Sequence, residues 1–409
     1  PLRSEGLDPY ALSAEQIAAL LADEPPFRVR QVRQWLARGV ADPAAMKDLP
    51  KALRETLNAV FPPAPRTLRH VTADGGLTHK VLLELADGEA IESVLLCYPR
   101  TGDRGVRASV SEPAGGDRGV RASVSEPAGG DRRRGRATVC ISTQAGCAMG
   151  CPFCATGQAG LRRQLRTHEV VAQIAVMEQL LRGGAVAAGQ VPSRVTNVVF
   201  MGMGEPLANL HVTTATLRWL VDRDGFGLSA RNVTVSTIGL VPGIRRLMRL
   251  NLPITLAVSL HAPNDVLRDR LVPINRQYPL VELLGACDEY AATTRRRLTF
   301  EYVMIDGVNA HVDHARELAD LLRPRRAHVN LIPMNPTPGI AWVAPSVAAQ
   351  RRFAGILETG GLTATIRHNR GTDIDAACGQ LYANYQMASG RRLTPSERPP
   401  PDREARPAP

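Results

Sequence analysis

"CAMGCPFCATG", residues 147–157, places Cys147, Cys151 and Cys154 within eight positions, separated by gaps of three and two residues. It follows directly on RATVCIST (136–143), a β-branched run that reads as a strand. Thiolates this close together select zinc, copper(I) or an iron–sulfur cluster. A structural zinc site closes with four ligands, and Cys140 is a possible fourth. However, Cys140 sits seven residues upstream, at the middle of the predicted strand, and no histidine stands at finger-like spacing. A four-iron cluster held by three cysteines keeps one iron open, which is useful if the cluster must touch a substrate.

Downstream of this loop, strand-like and helix-like segments alternate. VTNVVFMGMGEP (195–206), NVTVSTIG (232–239), PITLAVSLHAP (253–263), LTFEYVMIDG (298–307), HVNLIPMNP (328–336) and ATIRHNRG (364–371) read as strands running into polar, Gly- or Pro-marked loops. Between them lie helical patterns such as VTTATLRWLVD (212–222) and HARELADLLRP (314–324). This is an α/β pattern with a parallel sheet, in which chemistry gathers at the carboxyl ends of the strands.

Upstream, residues 13–58 read as helices. Ser13 and Gln16 form a capping-box signature, and Leu20, Leu21, Phe27, Val32, Leu36, Leu49 and Leu53 supply apolar faces. Arg28, Arg30, Arg33 and Arg38 decorate the second helix, as a solvated face or a patch for RNA. Residues 67–99 read as three strands with turns at DGG and ADG. The 14-residue string GDRGVRASVSEPAG then occurs at 102–115 and again at 116–129, too rich in Gly, Ser, Pro and charge to pack. The expected organisation is a helical accessory domain contacting RNA over 1–66 and a β extension over 67–100. A duplicated disordered insertion (101–135), the catalytic barrel (136–388) and a disordered tail (389–409) follow.

The chain of 409 residues, 44% hydrophobic, is long enough for a large barrel with an appendage. Its net charge of +11 suits a polyanionic partner. No apolar run reaches membrane-spanning length, and PLRSEGLDPYAL lacks the apolar core of a signal peptide. A cytoplasmic protein without membrane contact is expected. The chain opens on Pro1 rather than Met, so a trimmed or processed start is expected. Seven cysteines, three of them bunched, fit a reduced metal-binding protein better than a disulfide framework.

CxxxCxxC after the first strand of such a barrel resembles the radical S-adenosylmethionine (SAM) superfamily. The further motifs MGMGEPLANL, TVSTIGLVPGI, AVSLHAPNDVLRDRLVPIN, EYVMIDGVN, NLIPMNP and RGTDIDAACGQL together resemble the radical SAM RNA adenine carbon-2 methyltransferases. PFRVRQVRQW and AIESVLL extend the likeness into the first hundred residues, and the insertion at 100–135 is the main departure. The resemblance implies a partial (β/α)6-type barrel, one [4Fe-4S] cluster on Cys147, Cys151 and Cys154, and two SAM molecules per turnover. The implied substrates are 23S rRNA and tRNA, the reductant a flavodoxin or ferredoxin system, and the protein a monomer.

Carbon 2 of adenine is electron-poor and is no nucleophile, so it cannot take a methyl group from the SAM sulfonium directly. The family's route uses a carrier, the general logic of covalent catalysis. By motif, Cys378 matches the cysteine that is methylated and then bonded to RNA, and Cys140 the cysteine that releases the product by forming a disulfide. Glu92 in AIESV matches the proton acceptor for carbon 2. Gly204 and Glu205 match residues meeting the methionyl amino group, with Ser236, Ser259, Leu260, His261 and Asn335 completing the SAM site. Cys97 and Cys287 read as buried structural cysteines. Two alternatives stay open: the sister carbon-8 methyltransferase, and a zinc RNA-binding protein without catalysis.

Overall fold

The computed structural model describes residues 6–99, 135–184, 186, 191–337, 339–367 and 370–381. The duplicated 14-residue strings and the tail expected at 389–409 lie outside the described residues.

Three helices, α1 (Ala14–Leu20), α2 (Phe27–Ala37) and α3 (Lys51–Val60), close on a core of their own built from Ile17, Val32, Leu36, Met46, Leu53 and Leu57. The capping box forms: Gln16 N donates to Ser13 Oγ at 3.2 Å and Ser13 N to Gln16 Oε1 at 2.7 Å. Phe27 departs from its expected apolar role, being exposed beneath the Arg28 guanidinium. The helical unit is tied to the barrel where Trp219 Nε1 donates to Leu36 O at 3.0 Å and His168 N to Asp8 at 3.1 Å.

The chain then forms β1 (Arg66–Ala73), β2 (Thr78–Glu84), β3 (Ala90–Tyr98) and β4 (Arg136–Cys140), paired antiparallel in sequence. Cys140 is the last residue of β4, at the strand's carboxyl end rather than its middle. A two-stranded ribbon, β5 (Gln144–Gly146) with β6 (Leu161–Gln164), frames the cysteine loop and the short helix α4 (Ala155–Ala159).

From β4 onward the sheet is parallel. It continues through β7 (Asn197–Phe200), β8 (Val233–Thr237), β9 (Thr255–Ser259), β10 (Leu298–Met304), β11 (Ala327–Pro333) and β12 (Thr363–Ile366), in that spatial order. The crossovers carry α5 (Thr167–Arg182), α6 (Leu210–Val221), α7 (Val241–Met248), α8 (Asp265–Leu271) with α9 (Leu280–Thr294), α10 (Val312–Leu322) and α11 (Val347–Thr359). The barrel is thus six βα units and a closing strand. Strands covered on both sides are buried along their length, and β11 is buried at its first six positions, apolar except for His328 and Asn330. All the carboxyl ends of the parallel strands consequently point to one rim, where the described residues of the C-terminal segment return.

Candidate active site

The cysteine loop opens one wall of a cavity at this rim. Cys147, Cys151 and Cys154 all line it. Gly157 in CATG lets α4 lie against the Cys151 backbone, since a Cβ there would stand 3.0 Å from Cys151 O. Burial pushes the Cys147 thiol up to about 12 and raises Cys151 and Cys154; Cys154 adds to the rise of Cys147, Cys154 and Cys147 to that of Cys151, and Cys378 to that of Cys154. Among the described residues no three His, Cys, Asp or Glu side chains close around a single ion; the three sulfurs line a shared wall. Soft donors on one wall with open space before them suit a thiolate-bound cluster, which binds as the thiols give up their protons.

The opposite wall comes from the loop after β7. Gly204 has φ +98° and lies so close to Gln144 that a Cβ would meet its side chain at 2.5 Å, so only glycine fits. This brings Glu205 inward. Its carboxylate accepts from Leu207 N at 2.9 Å and Ile238 N at 2.8 Å, yet burial still pushes it up to about 7. A buried carboxylate in this condition is suited to a cationic ligand group.

Two further strand ends are drawn together by Arg268, which the motif reading did not single out. It is fully buried, donating to Leu260 O at 3.0 Å, Ser259 O at 3.1 Å and Ile238 O at 2.7 Å. His261 adopts φ +61° and accepts from Val303 N on Nδ1 at 3.0 Å, which puts its hydrogen on Nε2. Burial, with Arg268 nearby, pushes its pKa down to about 3, so it serves as a neutral donor. Phe153 of the cysteine loop packs edge-on against it at 4.8 Å. In Arg268→Ala three backbone carbonyls and the Asn275 side-chain oxygen each lose a donor, and we expect a loss of at least about 3 kcal/mol, read from the denaturant midpoint.

The C-terminal segment completes the cavity. Asn335 Nδ2 donates to Cys378 O at 2.9 Å, Ala155 N to Gly379 O at 2.9 Å, and Thr156 Oγ1 to Leu381 O. Cys378 is exposed and lines the cavity, its segment lying against the cysteine loop and α4. Cys140 stands outside that lining at the end of β4; burial pushes its thiol up to about 12, with Cys378 adding to the rise and Arg367 opposing it. Arg367 Nη1 stands 3.9 Å from Cys378 Sγ and 3.6 Å from Glu301 Oε2. Arg367 and Glu301 line the cavity, and neither was anticipated; EYVMIDGVN and ATIRHNRG contain them without marking them.

Of the anticipated residues, Gly204, Glu205, Ser236, Ser259, His261, Asn335, Cys378 and the three loop cysteines share this cavity. Leu260 departs from the expectation: its side chain is wholly buried in the core. Glu92 does not line the cavity either. It sits on β3 beside β4, 2.8 Å from Lys80 Nζ in a buried ion pair. Cys97 and Cys287 are buried as expected.

A partial parallel barrel with three cysteines and a glycine-rich acidic loop at one rim defines a radical SAM protein, and the radical SAM superfamily model matches residues 141–322. Residues 11–62 match the ribosomal RNA large subunit methyltransferase N-terminal domain. The "Probable dual-specificity RNA methyltransferase RlmN" of Frankia casuarinae is 48% identical over 89% of this chain and 79% of its own length. The protein of that name from Moorella thermoacetica is 45% identical over 92% and 96%. A crystal structure of a radical SAM methyltransferase from Sphaerobacter thermophilus superposes with a TM-score of 0.78 at 43% identity, covering 92% of this chain and 99% of that one. The chain belongs to the RlmN family of radical SAM dual-specificity RNA methyltransferases. Membership implies SAM and an iron–sulfur cluster. No helix among the described residues is long and apolar enough to cross a membrane.

Proposed function

We propose that this protein methylates carbon 2 of an adenosine in the peptidyl-transferase centre of 23S rRNA and of the adenosine 3′ of the anticodon in tRNAs. The observation carrying this reading is that one cavity receives the three loop cysteines and Cys378, with Cys140 outside its lining at the end of β4, close enough for Cys378 to raise its thiol. Cys147, Cys151 and Cys154 would hold one [4Fe-4S] cluster. Glu205, poised near neutrality by burial, would take the methionyl ammonium of SAM, with Gly204, Ser236, Ser259, His261 and Asn335 around the rest. Leu260 would contribute backbone only.

Cys378 first attacks the methyl of one SAM, and S-adenosylhomocysteine leaves. The cluster that Cys147, Cys151 and Cys154 would hold would supply the one-electron chemistry that cleaves a second SAM and would take back the electron left once carbon 2 is attacked; the radical from that SAM would remove one hydrogen atom from the S-methyl group of Cys378. The resulting methylene joins Cys378 sulfur to the base. Glu92 takes the carbon-2 proton. Cys140 sulfur then attacks Cys378 sulfur; the methylene–sulfur bond breaks with its pair on carbon, which takes a proton to become methyl, leaving a disulfide.

The target base must leave its stack to enter the cavity. The basic chain and its helical domain would hold the RNA backbone, with Arg30 and Arg33 on α2 available to phosphates. A flavodoxin or ferredoxin system would supply electrons to a cytoplasmic monomer. Mass spectrometry of nucleosides from treated rRNA and tRNA is expected to show 2-methyladenosine. Finding 8-methyladenosine instead would reassign the protein to the sister activity.

A further inference from the structure

Lys80 lies outside every motif discussed above, yet it joins two parts of the site. It stands on β2 opposite Val94, which pairs in turn with Cys140 on β4. Partners across a ladder point to the same face, and Glu92 shares that face two residues along β3. Lys80 therefore stands in one transverse row with Cys140, and its ammonium reaches diagonally to Glu92.

Two contacts fix its position. Lys80 Nζ is 2.8 Å from Glu92 Oε1, with both side chains largely withdrawn from water. The same nitrogen donates at 3.3 Å to the carbonyl of Asp375, three residues before Cys378. Nearby, Arg370 pairs with Asp74 at 3.4 Å and donates to Cys97 O at 3.0 Å, so the β extension grips the returning segment at several points.

We infer that Lys80 is a positioning residue for release of the methylated RNA: it holds Glu92 ionised and aimed, and locks that carboxylate to the segment carrying Cys378. The inference rests on the proposed role of Glu92 as the carbon-2 proton acceptor. A carboxylate withdrawn from water ionises readily only with a charge partner, and an ammonium at hydrogen-bond distance provides one. The partner also makes the carboxylate a weaker base. That suffices here, because after electron loss the adducted ring is cationic, and its carbon-2 proton leaves with the C–H pair returning to the ring. The second bond of Lys80, to the Asp375 carbonyl, fixes where Glu92 stands relative to Cys378, since one ammonium holds both.

The test separates stages of turnover in the cluster-loaded, full-length protein with tRNA. In Lys80→Met, Cys378 methylation by the first SAM should match the wild type. The Cys378–RNA adduct should accumulate and release of methylated RNA should fall by about 100-fold or more, the scale of a lost proton-transfer group. Lys80→Arg should restore most of the release. Lys80→Gln, which keeps a donor without the charge, should behave as Lys80→Met. The double variant Lys80→Met, Glu92→Gln should be no worse than Glu92→Gln alone, because both act on one step. Wild-type release in Lys80→Gln, or loss of Cys378 methylation in Lys80→Met, would overturn the inference. If Glu92→Gln stalls while Lys80→Met turns over normally, Lys80 loses its role and Glu92 keeps it. Normal release by Glu92→Gln would remove the role assigned to Glu92, and with it the inference.

Discussion

In Cys140→Ala, the protein is expected to stay covalently joined to its RNA through a methylene bridge on Cys378. Methyl loading of Cys378, radical formation and attack on carbon 2 do not require the Cys140 thiol. Only the final sulfur–sulfur exchange does, so the reaction should halt one bond short of release. Cys378→Ala should halt at the beginning, with no methyl carrier and no adduct. Digestion with nuclease and mass spectrometry of the peptide containing residue 378 distinguishes the two. The adduct should be abundant in Cys140→Ala and absent from Cys378→Ala and from the double variant. Multiple-turnover methylation should fall below detection in all three. If both single variants are folded, iron-loaded and equally free of adduct, the two cysteines do not divide the reaction in this way. The placement of Cys378 at the open cavity and Cys140 outside its lining, with Arg367 interacting with both, is what supports this division of labour.

Removing a loop cysteine should have an equally large but different effect. Cys151→Ala is expected to lose nearly all of the roughly four irons of a [4Fe-4S] cluster, together with its visible absorption. Cys140→Ala should keep both. Cys151 is buried at the cavity wall in one apolar cluster with Ile238, Ala262 and Leu271, and alanine there offers the iron no ligand. Equal iron loss in the two variants would favour a site with four cysteine ligands and would move Cys140 from the resolving role into the metal shell. Anaerobic reconstitution followed by iron analysis and absorption spectroscopy gives the answer, and circular dichroism confirms that each variant is folded.

Local rules made much of this protein legible. Alternating β-branched and helical segments give the parallel barrel, since a strand buried on both faces must be largely apolar and its crossover helix amphipathic. The capping box at Ser13 follows from short-range hydrogen bonding alone. Short sequence spacing was enough to place the three loop cysteines together, because eight residues cannot carry them far apart. Phe27 shows the limit of that reading: periodicity marks an apolar residue without saying whether a partner covers it, and here it stays exposed.

What the sequence by itself determined, then, is the order of elements, the thiol-rich loop and the loops at the strand ends. The tertiary structure alone decided the contacts between distant segments. Lys80 reaches Asp375 across 295 positions, and Arg367 approaches Cys378 and Glu301 from a different strand. Arg268 looks like one more helical arginine until its guanidinium is seen spanning two strand ends. Neither charge nor spacing reveals such pairings, because a side chain's function here depends on which carbonyl or carboxylate the folded backbone brings within about 3 Å of it, and only the assembled partial barrel sets that distance.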